Sequence, residues 1–256
     1  MAKPLRVLFI SPEAVPFAKT GGLADVAGAL PVALQQLGLE VALLMPLYAQ
    51  VRQGQSDLQK AATDLQVGFD FFTLNFDLYQ SQVEGVTFYF VERDEFFDRR
   101  YLYGTPKGDY FDNLERYLFL TKTLLPVCQA LDLRPDIIHC HDWQAALIPL
   151  YLHDKWAEEE IFSGTATILT IHNLAYQGLF PKEKFRLLEL PPERFSIEGL
   201  EFYDRINFLK AGILFADAVT TVSRQYSREI QTEEFGCGLD GVLRTRSQVL
   251  TGIVNG

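Results

Sequence analysis

Three segments rich in polar residues and glycine each follow an apolar run of the chain. They are residues 18–25 (AKTGGLAD), 140–144 (CHDWQ) and 172–178 (HNLAYQG). In an open parallel sheet, ligands bind beyond the carboxyl ends of the strands. Because each apolar run is a predicted strand, we expect the three segments to meet at one edge of a sheet and to form a binding site there.

The first segment has the composition of an anion site. Gly21 and Gly22 precede a predicted helix, so their N–H groups and the positive end of the helix dipole could face an anion, to which Lys19 adds a full charge. The spacing is neither that of a Walker loop nor that of the G-x-G-x-x-G fingerprint. The alternative is a plain turn that uses glycine's freedom at positive φ. Spacing alone leaves both interpretations open.

Histidines and an aspartate stand out in the other two segments. His139 and His141 alternate, so they point to the same side of a strand and could bind a metal if a third ligand joined them. No third ligand follows nearby, and we predict no metal site. Asp142 could be a helix N-cap, and His172 with Asn173 could belong to the core. Their expected convergence on one edge favours a functional role.

Aromatic side chains offer a second kind of recognition. Trp143 and the Phe and Tyr residues within residues 65–92 could stack on sugar rings, or they could pack in the core. Residues 101–109 (YLYGTPKGD) are the most loop-like stretch, and they could form a mobile lid or an ordinary connection.

The composition excludes several classes of protein. The 256 residues carry 33 acidic and 23 basic side chains, and the formal charge of −10 opposes binding to nucleic acid or anionic lipid. Cys128, Cys140 and Cys237 form no CxxC pair, so neither a disulfide framework nor a zinc knuckle is predicted. No signal peptide or membrane span is evident. We therefore expect a cytoplasmic protein, or a mature form from which a transit peptide is already absent, with no nucleic-acid or membrane partner.

The spacing of apolar residues predicts an α/β fold. Residues 6–10 and 40–45 are predicted strands joined by a helix from Leu23 to about Leu37, which Gly38 ends. Further strands are predicted at residues 136–140, 166–171 and 218–222, with helices from about Gln144 and from Ser223. Apolar strands without alternation need both faces covered, so we predict a Rossmann-like, doubly wound parallel sheet.

One segment departs from this pattern, and a long helix follows it. Residues 65–92 alternate apolar and polar residues, which predicts an antiparallel hairpin insertion at the edge of the sheet. Residues 112–131 then form a helix with Asp112 or Asn113 as N-cap. We expect one domain over residues 1–256.

Five motifs follow one another along nearly the whole chain. They are residues 19–26 (KTGGLADV), 140–149 (CHDWQAALIP), 170–178 (TIHNLAYQG), 207–223 (NFLKAGILFADAVTTVS) and 235–244 (FGCGLDGVLR). In this order they resemble the motifs of the ADP-glucose-dependent glycogen and starch synthases, retaining glycosyltransferases of family 5 with the two-domain GT-B architecture. Arg224 and Gln144 stand where the family often has Pro and His, at positions not expected to affect catalysis.

For the reacting centre, the resemblance implies that His172 lies beside the transferred glucose, stabilises positive charge near the anomeric carbon and contacts a sugar hydroxyl. Asp142 would order that centre and Asn173 would support the donor. Breaking the bond to ADP develops charge on the pyrophosphate and oxocarbenium character at the sugar, and fixed cations and N–H donors stabilise both. No metal and no cofactor is expected.

For substrate binding, the resemblance implies that Lys19, Gly21 and Gly22 contact the pyrophosphate of ADP-glucose. Asp25 would fix their loop by hydrogen bonding. Tyr101 and the aromatic residues of residues 65–92 would face the α-1,4-glucan acceptor.

The family also has a second Rossmann-like domain. Residues 252–256 (GIVNG) would lead into it, and we expect this C-terminal domain, missing from the chain, to be the partner that completes the site. The 256 residues alone are therefore expected to be inactive. One alternative is a noncatalytic glucan-binding or regulatory fragment of such a synthase. A dinucleotide oxidoreductase shares the fold class but requires the glycine fingerprint that this chain lacks.

Overall fold

The computed structural model describes residues 3–54 and 57–255. The chain divides into two compact units, one ending at Asp136 and the other beginning at Ile137. Each unit combines parallel strands with helices, so the predicted α/β class with mainly parallel pairing is confirmed.

The first unit contains a sheet and the helices that connect its strands. Its strands are β1 (Arg6–Ile10), β2 (Glu40–Pro46), β3 (Gln59–Phe69), β4 (Phe72–Val83), β5 (Val86–Glu92), β6 (Gly104–Thr105) and β7 (Gly108–Asp109). Its helices are α1 (Gly22–Gln36), α2 (Ala49–Gly54), α3 (Asp94–Phe97) and α4 (Asn113–Leu131).

The sheet of the first unit has the order β1-β2-β5-β4-β3. β1, β2 and β5 are parallel, whereas β4 and β3 run antiparallel to their neighbours and β3 is the last strand. The predicted antiparallel pairing at an edge is confirmed, but it begins at Gln59. The prediction that residues 65–92 form only an insertion is wrong, since β5 pairs with β2 inside the sheet. Phe88 and Phe90 of β5 are fully buried, which ties that strand to the core.

Helix α1 buries its small and apolar residues, which are Leu23, Ala24, Ala27, Gly28, Pro31 and Val32. Gly28 permits a close approach to the chain, because a Cβ there would lie 2.3 Å from Cγ2 of Val15. Gly38 has a φ of +89° and ends the helix as predicted. The middle of α1 therefore packs closely against the chain at Val15.

Helix α4 begins one residue later than predicted, ends at Leu131 as predicted, and has Asp112, one of the two expected residues, at its N-cap position. Asp112 occupies the N-cap position without a capping hydrogen bond from its side chain. Its carboxylate instead accepts from both terminal nitrogens of Arg99, at 2.8 and 2.5 Å. A two-pronged, charge-assisted contact is stronger than a single bond to a backbone N–H, so the ion pair takes precedence.

The second unit has shorter elements. Its strands are β8 (Ile137–His141), β9 (Ala166–Ile171), β10 (Leu179–Pro181), β11 (Glu201–Phe202), β12 (Arg205–Asn207), β13 (Ala218–Thr221) and β14 (Leu250–Gly252). Its α-helices are α5 (Asp142–Ala145), α6 (Ile148–Asp154), α7 (Phe208–Phe215), α8 (Arg224–Glu229) and α9 (Asp240–Thr245). Turns of 3-10 helix cover Glu160–Phe162, Lys182–Leu188 and Pro192–Arg194.

In the second unit β8, β9, β13 and β14 pair in that order, all in parallel. The stretch of chain between β9 and β13 forms a small antiparallel sheet with the order β10-β12-β11. β8 ends one residue later than predicted, at His141, and α5 begins two residues earlier than predicted, at Asp142. The helix predicted from Ser223 begins one residue later, and Ser223 caps α8 by accepting from the N–H of Tyr226.

Within residues 3–54 and 57–255, no helix combines the length and the apolar character needed to span a bilayer.

Candidate active site

The histidine cluster consists of His139, His141 and His172. His139 and His141 lie on β8, and His172 directly follows β9, the parallel neighbour of β8. Nδ1 of His141 lies 2.9 Å from Nε2 of His172, and the rings of His139 and His141 stack with centroids 4.4 Å apart. The carboxyl ends of β8 and β9 therefore bring two of the three predicted segments together.

Burial keeps the histidine cluster neutral. It lowers the pKa of His139 to about 3, with repulsion from His172 as a smaller cause, and it lowers the pKa of His172 to about 4. The pKa of His141 lies well below its usual value because of burial, followed by repulsion from the other two rings. At neutral pH each ring thus carries one proton and acts through hydrogen bonds rather than through charge.

Asp142 serves the end of β9 rather than the start of its own helix. Its Oδ1 accepts the backbone N–H of His172 at 2.7 Å, and only 8% of the residue is exposed. The N-cap interpretation is wrong, because His141 holds the N-cap position of α5. Asp142 has a φ of +53°, a left-handed conformation that aspartate tolerates better than most residues. The carboxylate thereby fixes the backbone at His172.

The alternating histidines engage in hydrogen bonds within the protein. Nε2 of His139 lies 2.6 Å from Oγ1 of Thr170, which lies 2.6 Å from Oγ1 of Thr220. Among the residues that the structure describes, no three or more His, Cys, Asp or Glu side chains are grouped as a metal site. The expected absence of a metal from the reaction stays a prediction.

The segment after β9 makes a tight local turn. Asn173 is exposed, and its Oδ1 accepts from the N–H of Ala175 at 3.0 Å. The N–H of Leu174 donates to the hydroxyl of Tyr226 at 3.0 Å. Asn173 therefore lies next to His172 on the surface, which is compatible with its predicted contact to the donor.

Trp143 is a core residue rather than a sugar platform. Only 8% of it is exposed, and its ring meets Phe180 edge-on with centroids 5.7 Å apart. Gly178, with a φ of +65°, lies against it so closely that a Cβ would come 2.5 Å from Cε3 of Trp143. Of the two interpretations of Trp143, core packing is the one that the structure supports.

The glycine loop, residues 19–22, precedes α1 in the first unit. Gly21 has a φ of −149°, and neither Gly21 nor Gly22 is in the left-handed region. The interpretation as a turn that requires positive φ is therefore wrong. A Cβ at either position would meet no atom within 4 Å. Since neither backbone angle nor internal packing requires glycine, the missing side chains leave room for a molecule outside the protein.

An ion pair joins Lys19, at the start of this loop, to Asp25 in the first turn of α1. Nζ of Lys19 donates to both carboxylate oxygens of Asp25, at 2.6 and 2.8 Å, and both side chains are about half exposed. This contact is consistent with the predicted role of Asp25 in fixing the loop. It also holds the ammonium group of Lys19 beside the amino end of α1.

Glu13, a residue that no sequence motif singled out, anchors the glycine loop from the protein interior. Only 3% of Glu13 is exposed. Its carboxylate accepts from both the N–H and the hydroxyl of Thr20, from the N–H of Gly21 at 3.4 Å, and from the hydroxyl of Tyr103 at 2.5 Å. The N–H of Gly21 thus points into the protein. Gly21 would therefore contribute to anion binding through the space that its missing side chain leaves. The signal in the sequence was an acidic residue close behind a buried strand.

The aromatic residues divide between core and surface. Phe76, Phe88 and Phe90 are buried, so the prediction that the whole aromatic set faces an acceptor is wrong for them. Tyr101 is 39% exposed and has the guanidinium of Arg100 over its ring at 5.4 Å. The loop that contains Tyr101 includes the short β6–β7 pair, which favours an ordered connection.

The predicted site residues thus form two groups. Asp142, His172 and Asn173 are adjacent in the second unit. The first unit contains the others, Lys19, Gly21, Gly22, Asp25 and Tyr101. That the β1 segment shares an edge with the other two segments stays a prediction.

Comparison with known proteins identifies the family. The family described as starch synthase catalytic domain matches residues 6–245. Glycogen synthase 2 of Geobacter sulfurreducens is 48% identical, and the glycogen synthase of Syntrophotalea carbinolica is 46% identical, each over 252 residues that cover 98% of this chain and 52% of the relative. The chain therefore spans about half the length of these curated relatives.

A solved structure agrees. The catalytic domain of starch synthase IV from Arabidopsis thaliana, bound to ADP and acarbose, matches with a TM-score of 0.90 and 31% identity over 99% of this chain and 52% of that one. With the family match over residues 6–245, these similarities establish that the chain belongs to the starch synthase catalytic domain family.

Proposed function

We propose that this chain provides the amino-terminal, acceptor-side half of a glycogen or starch synthase. The enzyme would transfer glucose from ADP-glucose to the non-reducing end of an α-1,4-glucan with retention of the anomeric configuration. The observation that carries this proposal is the similarity to glycogen synthases over 98% of the chain. The ADP and acarbose in the Arabidopsis structure support a nucleotide-sugar donor and a glucan acceptor. We place the enzyme in the cytoplasm, or in the plastid stroma of a eukaryote.

In the reaction the bond between the anomeric carbon and the ADP oxygen breaks, and a bond to the acceptor hydroxyl oxygen forms. The hydroxyl proton leaves with the ADP phosphate. The transition state carries positive charge at the sugar and negative charge on the pyrophosphate, so preorganised polar groups accelerate it. This chemistry requires neither a metal nor a cofactor.

We assign the sugar end of the donor to the second unit. His172 would contact the transferred glucose through its neutral ring and backbone, and Asp142 would hold its backbone in place. The 2.7 Å bond between Oδ1 of Asp142 and the N–H of His172 supports this division of roles. Asn173, which is exposed beside His172, would contribute a donor contact.

We assign the pyrophosphate end to the glycine loop. Lys19 would supply the positive charge, and Gly21 and Gly22 would permit close approach, because a Cβ at either position points into open space. Asp25 would orient the ammonium group of Lys19. Tyr101, partly exposed, would contact the glucan.

The test is glucosyl transfer by the protein expressed from its complete reading frame. Radiolabelled ADP-glucose and maltoheptaose should give a longer α-1,4-glucan, and UDP-glucose serves as the alternative donor. His172→Ala should abolish most of the transfer, whereas His153→Ala, at a histidine whose side chain is 61% exposed, should leave it unchanged. Glucan binding without any transfer would reject the enzyme and favour a binding or regulatory protein.

A further inference from the structure

His141 is a fully buried histidine with no assigned role in the proposed reaction. It is 0% exposed, so it contacts the protein interior rather than a substrate. Its Nδ1 lies 2.9 Å from Nε2 of His172, which is the residue proposed to contact the sugar. His141 can therefore act on the reaction through its contact with His172.

The contact between these rings restricts where their protons reside. Both rings are neutral, so each has one N–H and one bare nitrogen. A hydrogen bond between two ring nitrogens requires that one donates and the other accepts. If Nε2 of His172 donates in this bond, Nδ1 of His172 is bare. If Nε2 accepts, Nδ1 carries the proton.

The position of His141 is itself fixed. Its ring stacks on His139 with an interplanar angle of 28°, and His139 is held by Thr170 at 2.6 Å. Thr170 is in turn held by Thr220. A partner that cannot move holds its neighbour in one orientation, so this arrangement constrains the ring of His172 as well as its proton.

The opposite edge of His172 is left for the substrate. Over the described residues, the ring of His172 makes its hydrogen bond only to His141. Its backbone N–H goes to Asp142. Nδ1 is therefore the ring atom that can meet a sugar hydroxyl.

We propose that His141 is a positioning residue that holds His172 in a single tautomer and ring orientation, with Nδ1 of His172 presented to the donor sugar. The statement about the sugar rests on the proposed function, whereas the statement about the tautomer does not. If His141 acted only by filling space, an apolar side chain of similar size would replace it without effect on His172.

Nuclear magnetic resonance on the unaltered chain tests the tautomer directly. The sequence has only four histidines, so long-range proton–nitrogen spectra of protein labelled with nitrogen-15 histidine can be assigned completely. We expect one tautomer for His172 and a nitrogen–nitrogen coupling across the bond to His141. A mixture of tautomers, or no coupling, would overturn the proposal without any variant.

Variants separate positioning from packing. His141→Leu should leave His172 as a mixture of tautomers, and His141→Asn, which keeps a polar group near the position of Nδ1, should restore part of the single state. Cys140→Ala is the matched control, because it truncates a fully buried side chain on the opposite face of β8. It should leave the spectrum of His172 unchanged. A single, unchanged tautomer in His141→Leu would refute the proposal.

Kinetics connect the tautomer to the reaction. In the protein from the complete reading frame, His141→Leu should lower kcat for glucosyl transfer by roughly tenfold to a hundredfold with little change in the KM for ADP-glucose. His141→Asn should recover part of this loss. If the unaltered protein transfers no glucose, the proposed function fails while the spectra still decide the tautomer. Loss of transfer with an unchanged tautomer would contradict positioning by His141.

Discussion

Replacing Lys19 by Ala tests the phosphate role of the glycine loop most sharply, because the chain contains a matched pair elsewhere. Lys19 donates to both oxygens of Asp25 at 2.6 and 2.8 Å. Lys182 likewise donates to both carboxylate oxygens of Asp204, at 2.7 and 2.5 Å, and its side chain is exposed to a similar extent as that of Lys19. Lys182→Ala therefore removes an equivalent ion pair with no proposed contact to substrate.

The expected effects on stability and on activity differ in size. An exposed ion pair contributes at most about 1 kcal/mol, which corresponds to a change in Tm of roughly 2–4 °C for a chain of this size. A cation that stabilises developing charge in a site shielded from water contributes about 3 kcal/mol to the transition state, or roughly two orders of magnitude in kcat/KM. Lys19→Ala should therefore lose activity out of proportion to stability.

Initial rates with radiolabelled ADP-glucose, measured on the protein from its complete reading frame, give kcat/KM for both variants and for the unaltered protein. Thermal melts on the same samples give stability. We expect a loss of roughly a hundredfold for Lys19→Ala and less than about twofold for Lys182→Ala. Near-normal turnover by folded Lys19→Ala, or an equal loss in both variants, would refute the phosphate role.

Three further predictions concern stability, measured by urea unfolding. Asp142→Ala should lower the free energy of unfolding by about 2 kcal/mol and Asp142→Asn by under about 1 kcal/mol, because only asparagine keeps an acceptor for the N–H of His172 and tolerates positive φ; equal losses would contradict this. Gly178→Ala should cost more than about 2 kcal/mol, since its Cβ would meet Trp143, and a neutral result would mean that the turn can move. Burial lowers the pKa values of His139 and His172 from 6.5 to about 3 and about 4. Below about pH 6.5 the unfolded chain therefore binds more protons than the folded chain. Stability should therefore fall by up to about 1 kcal/mol per pH unit per histidine from about pH 6.5 to about pH 5, and a flat profile would contradict the burial of these rings.

The sheet strands were largely predictable because local apolar runs determine them. Residues 6–10 and 166–171 were predicted with the bounds that the structure has. The pairing of β5 with β2 was not predictable, since the alternating pattern of residues 65–92 is the same for an edge hairpin and for a strand that returns to the sheet. The parallel pairing of β5 with β2 and the burial of Phe88 and Phe90 distinguish these cases.

The identities of the site residues were also within reach of the sequence, whereas their partners were not. The motif at residues 170–178 identifies His172 and Asn173 as site residues, because the chemistry of a site requires particular side chains at particular spacings. For Asp142, local rules offered a helix N-cap as the alternative to a role at the reacting centre, but they did not indicate which group its carboxylate contacts. The structure gives its carboxylate to a backbone N–H thirty positions away along the chain.

The α/β class, the strand that precedes each polar segment and the family thus follow from the amino-acid sequence, because local patterns and motif order specify them. The pairing of buried polar groups depends on the folded chain. Glu13 accepts from Tyr103, and His141 bonds His172, across separations of 90 and 31 residues. Such contacts exist because buried polar atoms must find partners in a dry interior, and the folded chain, rather than its sequence neighbours, sets which partners are near.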